Sequence, residues 1–116
     1  MLADVPPIPA YQAHPVMETA GDLPWTPSTV HALVLSSFPP STRWRAEEVA
    51  ECESHFEHRS TNPRSGAAGV FQFLPSTWRN RRWNPWWDET PYDPQFNVWA
   101  ARVLSRGGTD WSQWSC

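Results

Sequence analysis

Arg45-Ala46-Glu47-Glu48-Val49-Ala50-Glu51-Cys52-Glu53-Ser54-His55-Phe56 is the stretch on which the reading of the whole chain turns. Ser41 or Thr42 can cap a helix here, and the pattern carries it to about His58. At about 100° per residue, Arg45, Val49, Cys52, Glu53 and Phe56 fall within one side of the helical wheel, whereas Glu47, Glu48, Glu51 and Glu57 fall mostly elsewhere. Glu53 therefore sits on the apolar side. A carboxylate there is costly to ionise, its pKa should rise, and a raised pKa is what a general acid working near neutral pH requires. Taken alone, a solvated or salt-bridged helix glutamate is the default alternative.

Moving toward the carboxyl terminus, Asn62-Pro63 and Ser65-Gly66-Ala67-Ala68-Gly69 supply turn residues, and Val70-Phe71-Gln72-Phe73-Leu74 reads as a short strand or extended run. Pro75-Ser76-Thr77-Trp78 looks like a helix start. Arg79 to Tyr92 is dense in arginine and tryptophan and is broken into loop by Asn84-Pro85 and Thr90-Pro91. Asp93 as cap and Pro94 in the first turn open a last helix. Its expected buried stripe is Phe96, Trp99, Ala100, Val103 and Leu104, and Gly107-Gly108 ends it.

Moving toward the amino terminus, Pro39-Pro40 closes a short helix that Thr26 can cap, that Pro27 begins, and that places Val30, Leu33 and Val34 at helical spacing. Before it, Pro6, Pro7, Pro9, Pro15 and Pro24 favour an extended, polyproline-like arm. The division is thus residues 1–40, a Pro-rich arm with a short helix, and 41–116, a single domain. A chain of 116 residues can bury one core and is expected to hold one active site.

A net charge of -3 provides no global basic field, so nucleic acid is not an expected partner. No run approaches the length of a membrane span, and the first 25 residues show no secretory signal. All nine basic residues are arginine, a bias of base composition rather than of mechanism. Two cysteines, Cys52 and Cys116, permit one disulfide, with two free buried thiols as the alternative. A bridge would imply an oxidising compartment.

The motifs in order are Cys52-Glu53-Ser54-His55-Phe56, Gly69-Val70-Phe71-Gln72-Phe73, Pro75-Ser76-Thr77-Trp78 and Asp93-Pro94-Gln95-Phe96-Asn97. This series resembles the soluble lytic transglycosylase and goose-type lysozyme superfamily, with its Glu-Ser, Gly-x-x-Gln-Phe and Asp-Pro-x-x-Asn elements in order over about residues 42 to 116. The cysteine before the glutamate and the closing Trp111-Ser112-Gln113-Trp114-Ser115-Cys116 look more like the actinobacterial branch, which includes resuscitation-promoting factor domains. The resemblance implies a mostly α, α+β lysozyme-like fold with a small β element. It also implies cleavage of the β-1,4 bond between N-acetylmuramic acid and N-acetylglucosamine of a peptidoglycan strand, with no cofactor.

By that resemblance Glu53 would be the general acid and base, Ser54 would support it, Gln72 would hydrogen-bond sugar, and Asn97 would pack or bond from the last helix. The substrate-binding set is completed by Phe73, Trp78, Trp86 and Tyr92. Tyr92 is a loose substitute for the family's Ala-Tyr-Asn tyrosine, which this chain lacks. Without that tyrosine a hydrolase stays open, with Asp88 or Glu89 as its second carboxylate. Trp44, Trp78, Trp99 and Trp114 are expected in the core, so Trp78 stands in both readings, while Trp83, Trp86 and Trp87 are candidates to stack on sugar. Gln72 could instead serve only the backbone.

His55 and His58 with Glu51 lack the further ligands a metal site needs, and no metal is expected. Arg79, Arg81 and Arg82 form a basic cluster that is either a solvated helix end or a contact for lactyl or stem-peptide carboxylates. The expected location is extracellular or cell-wall; the arm and the missing signal together suggest a phage tail or other virion assembly as the arm's docking partner, with a processed bacterial wall-remodelling enzyme as the alternative. A non-catalytic peptidoglycan-binding or structural module is the competing class.

Overall fold

A computed structural model describes residues 25–116. The arm over residues 1–24, with any docking role, lies outside the described residues.

Four helices carry the fold: α1, Pro27–Ser37; α2, Arg43–Ser54; α3, Pro75–Trp78; and α4, Pro94–Leu104. Thr26 caps α1 through a capping box: its hydroxyl accepts from the Thr29 backbone N–H at 3.2 Å, and the Thr29 hydroxyl accepts from the Thr26 N–H at 2.9 Å. Phe38 leaves the helix in an extended conformation because Pro39 follows it. The helix that the sequence groups with the arm contributes Val30, Leu33 and Val34 to the same core as α2 and α4, so the packed unit begins ahead of residue 41.

Thr42 stands at the start of α2 without capping it by its side chain. Its hydroxyl instead donates to the Gly107 carbonyl at 2.7 Å, tying the start of α2 to the loop after α4. The helix stops at Ser54, short of the His58 that periodicity predicts, because His55 (φ 53°) and Phe56 (φ 61°) both turn left-handed. Two such residues cost about 1 kcal/mol each. Burial of Phe56 and its stacking on His31, with ring centroids 4.4 Å apart, offset that cost.

The buried stripe of α2 is Ala46, Val49, Ala50 and Ser54. It is rotated from the predicted side: Cys52 is exposed, Arg45 is half-buried, and Glu53 lies on the margin of the stripe instead of in its middle. Asp93 caps α4 by accepting from the Gln95 N–H at 2.9 Å. This helix is buried on nearly every side, with Pro94, Asn97, Val98 and Ala101 inside as well as Trp99 and Ala100, while Phe96, Val103 and Leu104 are only half-buried. A central helix packed on several sides has no single stripe for periodicity to find.

The strand expected at Val70–Leu74 does not form. Two isolated antiparallel bridges, Thr61 with Ala68 and Ala68 with Phe73, stand in its place. Ala68 and Phe73 exchange backbone hydrogen bonds of 3.0 and 3.1 Å around the turn Gly69–Gln72. The turn needs a left-handed residue at each end, Gly69 (φ 85°) and Gln72 (φ 54°), and an extended run excludes that.

The tail folds back over this turn. Trp111 stacks on Phe71 at 5.7 Å, the Trp114 indole N–H donates to the Phe71 carbonyl at 2.9 Å, and Cys116 is bonded to Cys52 across 64 residues. Trp78 and Trp99 are buried and Trp114 half-buried, but Trp44, expected in the core, is 59% exposed on the outer face of α2. In the described residues no helix is long and apolar enough to cross a membrane.

Candidate active site

Glu53 occupies the last turn of α2, held on both sides. Cys52 fixes the helix to the tail through the disulfide. Ser54 is buried, and its hydroxyl donates to the Val70 carbonyl at 2.7 Å and lies 3.3 Å from the Ala50 carbonyl. The Ser54 side chain thus points into the protein and locks the end of α2 to the Gly69–Gln72 turn. Partial burial pushes the Glu53 carboxyl above its ordinary value, because the charged form loses water there.

The turn is held in turn by α4. Asn97 is fully buried; its Oδ1 accepts from the Phe71 N–H at 2.8 Å, and its Nδ2 donates to the Pro91 carbonyl at 2.8 Å and the Ala68 carbonyl at 3.2 Å. Gly69 permits this closeness. A Cβ there would lie 2.3 Å from the Pro91 carbonyl oxygen. Gln72 donates through Nε2 to the Ser60 and Gly69 carbonyls at 2.9 and 3.0 Å. Its amide hydrogens are spent on backbone, and its Oε1 is the end left to receive a donor.

Beside this frame lies a pocket of about 760 Å³. Phe73, Trp78 and Tyr92 line it, as do Arg79, Arg81, Trp87, Asp88 and Glu89; Glu53 does not. The Trp78 indole N–H donates to the Glu89 carbonyl at 2.8 Å, which fixes the loop that closes the far wall. The Tyr92 hydroxyl shares a 2.5 Å hydrogen bond with Thr61, and His58 meets the Tyr92 carbonyl at 3.1 Å, so Tyr92 spans from the pocket to the segment that follows α2.

The predicted set therefore divides. Phe73, Trp78 and Tyr92 come together on the pocket wall; Ser54, Gln72 and Asn97 instead bond to backbone in and around the Gly69–Gln72 turn. Trp86 stands apart, half-buried against Trp99 at 5.8 Å and Phe96 at 6.4 Å, and the neighbouring Trp87 takes the pocket face instead. Trp83 also packs inward, stacked on Phe73 at 5.7 Å. Sequence reasoning missed Thr61 as the partner of Tyr92, and no local pattern marks it. His55 is engaged by Glu51 at 2.5 Å, and among the described residues no group of three potential ligands could hold a metal.

The described residues thus form a helical domain with a half-buried glutamate at the end of a helix that is bonded to a Gly-x-x-Gln-Phe turn, and an aromatic pocket lies beside that turn. Residues 45–107 match the family model described as the transglycosylase SLT domain, and the chain belongs to that family. Membership makes it a protein of the lytic transglycosylase type that acts on peptidoglycan. Comparison with curated proteins and with solved structures found no match.

Proposed function

We propose that this chain is a peptidoglycan lytic transglycosylase in which Glu53 is both general acid and general base for cleavage of the β-1,4 bond between N-acetylmuramic acid and N-acetylglucosamine. The observation that carries the reading is Glu53 itself: a carboxyl raised by burial at a helix end fixed on one side by a disulfide and on the other by Ser54. Protonated Glu53 gives its proton to the glycosidic oxygen as the bond from that oxygen to the muramic C1 breaks. The muramic 6-hydroxyl oxygen then bonds to C1, and its proton returns to Glu53. The ring closes as a 1,6-anhydro sugar, no water is consumed, and the carboxyl is restored.

Gln72 through Oε1, with Phe73, Trp78 and Tyr92 from the pocket wall, would hold the glycan, while Ser54 and Asn97 act by position. Asp88 and Glu89 are the candidate bases of the alternative, a hydrolase that needs a second carboxylate. The disulfide supports work outside the cytosol, in an extracellular or cell-wall setting.

Mass spectrometry of products from purified peptidoglycan tests the proposal. Products shorter by one water per cut, absent with Glu53→Gln, are expected. Reducing-end products would make the protein a hydrolase, and no products from the folded chain would make it a binding module.

A further inference from the structure

Two buried donors of α4 stand without acceptors. Arg102, in its last turn, is 9% exposed, and Gln95, in its first, is 5% exposed. Arg102 Nε and Gln95 Nε2 are both shut off from solvent and meet no hydrogen-bond partner among the described residues. Seven positions apart, they lie on one side of the helix, about 10 Å from each other along its axis. The ion pairs of the described residues, His31 with Glu47, Arg45 with Glu48 and His55 with Glu51, leave Arg102 out. Burial lowers the Arg102 pKa from its ordinary value, but an arginine keeps its proton inside a protein. A buried positive charge with no counter-ion is strongly destabilising, and a carboxylate is the group that compensates it.

We propose that this side of α4 is the docking site of the chain's own amino-terminal arm, with a carboxylate of Glu18 or Asp22 received by Arg102. Charge complementarity supports that occupant: Asp4, Glu18 and Asp22 lie ahead of Trp25 and no arginine does, so the net charge of -3 resides in the arm. Its five prolines carry no N–H, and the arm therefore offers more acceptors than donors, as Gln95 Nε2 and Arg102 Nε require. Position agrees as well. The arm joins the body at Trp25, which packs against the core directly ahead of α1, the helix that packs on α4. Asp22 and Glu18 precede Trp25 by three and seven residues, a reach of up to about 10 and 25 Å. The inference does not depend on the catalytic role of Glu53.

A double-mutant cycle on the full chain tests it. The arm variant, Glu18→Gln with Asp22→Asn, is expected to melt about 5 °C below the native protein, because the arginine loses its counter-ion. In an Arg102→Met background the same arm substitutions should cause no further fall, since no buried charge is left for them to strand. An arm variant that melts with the native protein, or arm substitutions that act equally in both backgrounds, would overturn the proposal.

The Arg102 Nε–H resonance gives a second reading that needs no Arg102 variant to fold. In the native chain this hydrogen, bonded to a carboxylate, should resonate downfield and exchange slowly with solvent; in the arm variant it should move upfield and exchange faster. An Nε–H resonance that is the same in both proteins would rule out the arm as occupant. So would a melting temperature that rises with protein concentration, which would give this side of α4 to a second copy of the chain.

Discussion

Asn97, on α4, and Phe71, in the turn that faces α2, are joined by a 2.8 Å hydrogen bond from the Phe71 backbone N–H to the Asn97 Oδ1. The same side chain donates to the carbonyls of Pro91 and Ala68, so one buried amide holds together the turn, α4 and the loop ahead of it. Asn97→Ala strips one donor and two acceptors of this partner inside the protein. A loss of about 3 kcal/mol follows, seen as a fall in melting temperature of about 15 °C. A change of only a few degrees would show that the clamp is not structural.

Gly69 is the other half of this clamp. With φ at 85° and a Cβ position 2.2 Å from the Asn97 Nδ2, Gly69→Ala must displace either Asn97 or the Pro91 carbonyl. Destabilisation of about 3 kcal/mol or more is expected, and in denaturant titration it should not add to that of Asn97→Ala, because both break one contact. Full additivity would separate the two sites.

The Cys52–Cys116 bond closes a loop of 64 residues, which on the chain-entropy model stabilises the fold by about 4 kcal/mol. Reduction should lower the melting temperature and release the tail from Phe71. Intrinsic fluorescence reports that release directly, since Trp111 and Trp114 lose their ring contacts with Phe71. Unchanged emission after reduction would mean that indole packing alone retains the tail.

The raised pKa of Glu53 has two consequences of definite sign. In the proposed role of general acid it must be protonated, so kcat/KM should fall on the alkaline side at a pH above the 4.5 of an ordinary glutamate. The folded state also holds this proton more tightly than the unfolded chain. Stability from Glu53 is therefore fully present below pH 4.5 and is lost as pH rises through the folded pKa. Glu53→Gln should accordingly raise the melting temperature at neutral pH and leave it unchanged well below pH 4.5. A variant no more stable than the native chain at pH 7 would mean that Glu53 is fully solvated.

Where local chemistry sufficed, residues of the sequence could be read directly. Thr26 with Pro27 and Asp93 with Pro94 open their helices because capping and proline stereochemistry act within one turn. The side of α2 was harder to place: its stripe is set by what packs on it, and that leaves Cys52 at the surface and Glu53 at the margin.

Trp86 and Trp87 mark the limit most clearly. They are adjacent and chemically identical, yet one packs on Trp99 and the other lines the pocket. The sequence by itself determined the helix starts, the ordered Glu-Ser, Gly-x-x-Gln-Phe and Asp-Pro-x-x-Asn elements, and the cysteines available to pair. Only the tertiary structure decided that Val70–Leu74 turns instead of running as a strand, that Asn97 holds that turn, and which aromatic and charged groups share the pocket. Those outcomes depend on contacts between residues far apart in the chain, such as Asn97 with Phe71 and Tyr92 with Thr61, and neither periodicity nor propensity encodes them.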